Sequence, residues 1–184
     1  LSASWDMDLV ERNLDKLFST FREKNVNVRP HLKTVKSPEF AKLLLSAGAI
    51  GACVAKVSEA EVMADAGIED ILITTEIIGA PKIERLAKLI SKHPGVKVVI
   101  DSAIGAAAMQ EAASQVNVKL NVLIELNVGQ NRAGVEPGKP AVNLANEIAK
   151  QKNLNLLGVQ GYEGHVQLLT EESERKRLCS EAME

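Results

Sequence analysis

Apolar residues recur at helical spacing in some segments and run together in others, and the two kinds alternate along the 184-residue chain. Leu9, Val10, Leu14, Leu17 and Phe18 predict an amphipathic helix to about Glu23, with Asp8 and Glu11 at the spacing of a capping box. Asn25 to Pro30 alternates polar and apolar residues and predicts a strand. Ser37 followed by Pro38 predicts a helix start, because proline lacks an N–H that the first turn does not need. That helix carries Phe40, Ala41, Leu44 and Leu45 and should end at Gly48. Gly51 to Val57 reads as a buried strand. Ser58 and Glu61 have the spacing of another capping box, for a helix stopping at Gly67.

The same alternation continues to the end. Strands are predicted over Asp70–Thr75, Val96–Ile100, Leu120–Leu126 and Leu154–Gln160. Helices are predicted from Pro81 to the His93-Pro94-Gly95 turn, from Ser102 to about Gln115, over Ala141–Lys150, and from Thr170 onward. The strands are continuous apolar runs, the pattern of a parallel sheet covered on both faces. About six strand-helix units are counted, against the eight of a closed (β/α)8 barrel. A doubly wound open sheet would want a nucleotide-type glycine turn after an early strand, and none is present. The expected fold is therefore α/β: a TIM-type (β/α)8 barrel, incomplete, with residues 1–184 forming one barrel domain. The last helix meets no stop signal before Glu184, so a truncated barrel is expected.

Composition narrows the function classes. The chain is 46% hydrophobic and 25% charged, with a net charge of −2, so no basic field invites nucleic acid. Aromatic residues make up 3%, too few for a base-stacking surface. No apolar run is long enough for a transmembrane helix, and no secretory leader is read, so a cytoplasmic protein is expected. Two cysteines, Cys53 and Cys179, do not make a disulfide scaffold, and Cys53 reads as a small core residue.

In a barrel the carboxyl ends of the strands share one face. Here they carry Lys33, Lys56, Thr75-Glu76, Asp101, Asn127 with Arg132 beyond it, and Tyr162 with His165. Lys33 is delivered by Arg29-Pro30-His31-Leu32-Lys33-Thr34-Val35-Lys36, just before a helix begins. Lysine is a nucleophile toward carbonyls once its charged form is disfavoured, by burial or by cations such as Arg29, Lys36 or Arg132. Arg132 can hold an anionic group, Tyr162 can hydrogen-bond a ring edge, and His165 can carry a proton near neutral pH. Each has a plainer reading too. Lys33 can be a solvated charge. Arg132 can pair with Glu125 or Glu136, and the glycines around it can serve only a turn. His31 can cap a backbone group, and Asp101 can cap the helix after it. The charges of the last helix read as a solvated face.

Arg29-Pro30-His31-Leu32-Lys33-Thr34 resembles the cofactor-lysine motif of the D-threonine aldolase and D-serine dehydratase family. These are fold-type III pyridoxal phosphate enzymes with an alanine racemase-like barrel. Three stretches agree, in family order: Lys56-Val57-Ser58-Glu59-Ala60-Glu61, Val128-Gly129-Gln130-Asn131-Arg132-Ala133-Gly134-Val135 and Gly161-Tyr162-Glu163-Gly164-His165. The resemblance implies pyridoxal 5'-phosphate as cofactor, with Lys33 as its Schiff-base lysine and a catalytic base. It implies Arg132 near the phenolic oxygen and Tyr162 at the pyridine ring, with His31 and His165 in the same pocket. Val35 departs from the family, which usually has histidine there. The family also implies a divalent metal, Zn or Mn, held by a C-terminal β-domain, and phosphate-binding loops after the last strands. Neither is represented in these residues, and no metal ligands are read.

The implied activity is that of a lyase on a D-configured β-hydroxy amino acid, a small-molecule substrate. Aldolase cleavage to glycine and an aldehyde leads. Dehydration to a keto acid and ammonia is the alternative. A racemase would need a second base on the opposite face, which is not visible. A non-catalytic cofactor-binding protein and an inactive truncated chain are the other readings. A homodimer is the expected assembly.

Overall fold

Asp6, not Asp8, starts the first helix: its carboxylate accepts a hydrogen bond from the Leu9 amide at 3.1 Å. The Asp8–Glu11 spacing imitates a cap inside the first turns of α1 (Met7–Glu23). The computed structural model describes residues 5–183. They divide after Leu72 into two compact units. Five strands and seven α-helices lie among the described residues, fewer strands than the six counted from the apolar runs. No helix among these residues is long and apolar enough to cross a membrane.

In the first unit, α1 packs on α2 (Pro38–Ala47), and α2 on α3 (Val57–Asp65). Ser37 caps α2 as expected, accepting from the Phe40 amide at 3.1 Å. Gly48, at φ +119°, closes it in the left-handed region that glycine occupies without a Cβ penalty. The predicted strand over 25–30 is absent as a regular element, but its ladder is partly made. The Val28 carbonyl accepts from Ile50, and the Pro30 carbonyl accepts from Cys53 at 2.8 Å. Proline has no N–H to return, so pairing stays intermittent. Cys53 lies on β1 (Ala52–Val54), half-buried, and burial pushes its thiol up to about 11. It is a packed, unreactive thiol, close to the core role expected of it.

The Ser58–Glu61 capping box does not form. Helix α3 begins a residue earlier, at Val57, without a side-chain cap. The Glu59 carboxylate instead accepts from the Ala55 amide at 2.9 Å. β2 (Ile71–Ile73), buried throughout, ends the first unit and opens the second.

The second unit contains three consecutive parallel strands: β3 (Val96–Ile100), β4 (Leu120–Leu126) and β5 (Leu154–Gly161). Adjacent strands are consecutive in the chain, the order of a barrel wall and not that of a doubly wound sheet. Helices α4 (Ala80–Lys92), α5 (Ala103–Gln115) and α6 (Lys139–Ala149) cover them, with α5 packed against both others. α5 is alanine-rich, and its small side chains let the helix lie close: Ala106, Met109, Ala112 and Ala113 are all buried. Ser102 caps it, accepting from Gly105 at 3.2 Å. Asp101 is thereby released from the capping role proposed for it and stays at the end of β3.

β4 is flanked on both sides, and most of its residues are buried or half-buried. β5 is paired in register with β4 up to Leu156 and again from Gly158, so Leu157 bulges out. Three apolar side chains of β5, Leu156, Leu157 and Val159, are exposed. The last helix, α7 (Glu172–Glu181), buries no residue and carries Lys176–Glu172 and Arg177–Glu181 ion pairs, the solvated face expected. It ends at Glu181, short of the continuous run read to Glu184, which lies outside the described residues.

Candidate functional site

Lys33 and His31 meet in the first unit. The chain makes one parallel bridge, His31 to Cys53, and then turns over residues 32–35. Lys33 therefore sits in a turn after a single bridge, not at the end of a strand. Leu32, 2% exposed, anchors the turn by donating its amide to the Cys53 carbonyl at 2.8 Å. The Lys36 amide closes it on the Leu32 carbonyl at 2.8 Å, with Lys36 itself at φ +51°. The Lys33 amide donates to His31 Nδ1 at 3.1 Å. The backbone-capping reading of His31 thus holds, and its effect is to fix the turn that presents Lys33. Burial and the Lys33 charge lower the His31 pKa, with Glu59 opposing. A neutral His31 accepting at Nδ1 carries its proton on Nε2.

The cations expected to act on Lys33 are otherwise engaged. Arg29 pairs with Asp70 at 2.8 Å, and Lys36 pairs with Glu59 at 3.1 Å. Each carboxylate offsets the field its cation would have placed on a neighbouring amine.

Arg132, Tyr162 and His165 gather in the second unit, on the 127–136 loop and the 161–165 segment. Arg132 does not pair with Glu136. Its guanidinium lies over the Tyr162 ring, 5.2 Å from the centroid, an arrangement that leaves its N–H groups available to an anion. Glu136 instead accepts from Asn127 Nδ2 at 2.8 Å. Asn127 is the latch of this loop. It also donates to Asn131 Oδ1 at 2.8 Å, and its own Oδ1 accepts from the amides of Gly129 and Asn131. The loop returns to the strand through Asn127 N–H to Val135 O and Val135 N–H to Glu125 O, both 2.9 Å.

Two glycines do more than turn the chain. A Cβ at Gly129, where φ is +114°, would stand 2.9 Å from His165 Cε1. A Cβ at Gly164 would fall on the Tyr162 ring and within 2.7 Å of Gln130 Nε2. Missing side chains let the two segments interlock. His165 lines a cleft of about 530 Å³ with Asn127, Gly129, Glu136 and the end of α7, and its buried Nδ1 has no hydrogen-bond partner.

Glu125, read at first only as a partner for Arg132, is buried at 3% exposure beneath this loop. Its cross-strand neighbour in the ladder is Gln160, whose Nε2 donates to the Glu125 carboxylate. Burial, with the Glu76 and Asp101 carboxylates, pushes Glu125 up to about 7, against the Gln160 bond and the Arg132 charge. The signal was present: one carboxylate interrupts the apolar run Leu120–Leu126. Nearby, Glu76, Asp101, Ser102 and the exposed Ile78 and Ile104 line a recess of about 200 Å³, and Glu76 Oε1 is buried without a partner.

Comparison with known proteins identifies the family and the fold. Residues 5–182 match the family model of the alanine racemase N-terminal domain. The 3-hydroxy-D-aspartate aldolase of Paracoccus denitrificans (strain Pd 1222) is 35% identical over 97% of this chain and 46% of its own length. The D-threonine aldolase of an Arthrobacter species is 34% identical over 96% of this chain and 46% of its own. The crystal structure of D-threonine aldolase from Filomicrobium marinum superposes with a TM-score of 0.93 at 41% identity, covering 96% of this chain and 48% of that one. The chain spans about half the length of the curated relatives it matches. It belongs to the alanine racemase N-terminal domain family, and its fold is the alanine racemase-like α/β fold.

Proposed function

From that membership we propose that this chain is the cofactor-bearing part of a pyridoxal 5'-phosphate-dependent lyase cleaving D-configured β-hydroxy amino acids, in the manner of an aldolase. The observation that carries the reading is its 34–41% identity to three aldolases along nearly its whole length. The residues fit such a group. A histidine fixes the turn that presents Lys33, an arginine cation stands open over a phenol ring, and a buried imidazole nitrogen lacks a partner.

When bound, the cofactor supplies an aldehyde for an amine and a ring that accepts electrons from a bond breaking at the substrate α-carbon. Lys33 Nζ would be the amine that anchors the cofactor, and it could serve as a base. Arg132 holds the phenolic oxygen or a substrate carboxylate through charge-assisted hydrogen bonds. Tyr162 stacks beneath the arginine and would be the residue to border the pyridine ring. His165 Nδ1 exchanges a proton within the cleft it lines. His31 keeps the Lys33 turn in register. A divalent metal, Zn or Mn, belongs to the same reading. Among the described residues no group of three or more His, Cys, Asp or Glu can hold one, so no step is assigned to it here. A cytoplasmic homodimer is part of the proposal, and the two free cysteines suit a reducing compartment.

The test is spectroscopic and chemical. The purified chain with pyridoxal phosphate should develop the visible band of a lysine-bound cofactor, and Lys33→Ala should lose it together with the borohydride-trapped Lys33 peptide. Absence of the band in the unsubstituted chain sinks the cofactor reading. With D-threonine and a divalent metal, glycine and acetaldehyde are expected. Pyruvate from D-serine without retro-aldol products would replace the aldolase by a dehydratase. A band without turnover would leave this chain a cofactor-binding unit.

A further inference from the structure

Glu59 is the third residue of α3, and its carboxylate reaches two places. Oε2 accepts from the Ala55 amide at 2.9 Å, between β1 and α3, and Oε1 pairs with Lys36 Nζ at 3.1 Å. The Glu59 side chain is 13% exposed, so one partner of this pair is shielded from water. The pair ties the exit of the Lys33 turn to the segment that already holds its entrance. At the entrance the Cys53 amide donates to the Pro30 carbonyl and the Leu32 amide donates to the Cys53 carbonyl, both at 2.8 Å. Residues 32–36 are thus fastened at both ends to residues 53–59, with Lys33 between. The exit is the end that needs fastening. Lys36 lies at φ +51°, where a residue with a Cβ is uncommon and persists only if its surroundings over-determine it. A glutamine at position 59 would still accept from Ala55, so that bond does not require an acid; the pair with Lys36 does.

We propose that Glu59 is a positioning residue for Lys33: by gripping Lys36 it fixes the exit of the turn, and with it the place from which the Lys33 amine meets a carbonyl group. The action runs through the backbone of residues 33–36. An amine held at one origin gives up less freedom on reacting than one carried by a loose turn. Because the Lys36 side chain is 56% exposed, the pair adds little to overall stability, and its effect is local. That the carbonyl belongs to pyridoxal phosphate rests on the function proposed above; the fastening of the turn does not.

Two variants separate position from charge. Glu59→Gln leaves Lys36 an uncompensated cation, whose field would favour a neutral Lys33 amine and help it react. Lys36→Met removes the cation and the grip together, so a field effect would not help the amine there. A loss of position moves both variants the same way. In the unliganded chain, hydrogen-exchange protection of the Lys33 and Lys36 amides should fall roughly two- to fivefold in each, with β3 and β4 unchanged. The double variant should lose no more than either single one. With pyridoxal phosphate, the visible band of the lysine-bound cofactor should form roughly two- to fivefold more slowly in both. Unchanged protection, or losses that add in the double variant, overturns the proposal. So does faster band formation in Glu59→Gln with slower formation in Lys36→Met, which would make Glu59 a screen for charge. A lowered urea midpoint with band formation intact would make it merely structural, and also overturns it. If the unsubstituted chain forms no band, the cofactor reading fails, and the exchange measurement decides whether Glu59 holds the turn.

Discussion

The Lys33 turn and the Arg132 loop present their cations by opposite means. The Lys33 turn is held by backbone and by neighbours in sequence. Its bonds run from His31 to Lys33, from Leu32 to Lys36, and to Cys53 on the adjoining strand. Its remaining cations are paired locally, with Asp70 and Glu59. The Arg132 loop is shaped instead by the absence of side chains at Gly129 and Gly164, which lets His165 close on Gly129 and Gln130 close on Gly164, each from more than 30 residues away. Beneath it lies a buried acid, which the Lys33 turn lacks. Local bonding tolerates change in the surrounding residues; an interlocked pair of loops over a buried charge does not.

Substitutions can break this contrast, and the largest effect on stability should come from the buried acid. The Glu125 carboxyl is raised from about 4.5 to about 7. Below pH 4.5 it is protonated in folded and unfolded chains alike. Between the two values the unfolded chain releases a proton that the folded chain keeps, so stability falls as pH rises, and above pH 7 the loss is complete. Glu125→Gln removes this slope. It should gain stability relative to the unsubstituted chain as pH climbs, reaching roughly 3 kcal/mol above pH 7. Urea unfolding at a series of pH values checks it, and parallel pH profiles for the two proteins would refute it.

Gly129→Ala should cost about 2 kcal/mol, from a positive φ and from the collision with His165. The loss should appear as a lowered denaturation midpoint together with a shifted His165 imidazole resonance. An unchanged resonance would mean that the two loops do not interlock. In the first unit, Ser37→Ala removes the cap of α2 and should cost about 1 kcal/mol, leaving the His165 resonance where it was. A shift there would erase the difference between a locally held turn and an interlocked one.

Much of the fold was legible in the residues. β3 and β4 match the strands predicted from apolar runs, and Ser37, Gly48 and Pro81 mark helix boundaries through local backbone chemistry. Two capping boxes failed because a nearer acceptor, Asp6, took the first role and Glu59 reached Ala55 instead in the second. The segment 25–30 alternates like a strand, but a proline without an N–H keeps it from completing a ladder. The motif around Lys33 was legible for the same reason that its turn is robust: its bonds are short-range.

The sequence by itself determined the alternation of helix and strand, the family and the identity of the candidate lysine, because hydrophobic period, caps and motif spacing are local quantities. Tertiary structure alone decided that Arg132 faces Tyr162 and not Glu136, that Gly129 exists to admit His165, and that Glu125 is buried beside Gln160. Those relations are distances between segments remote in the chain. A carboxylate's charge state, likewise, depends on how much water and which neighbours the fold leaves around it.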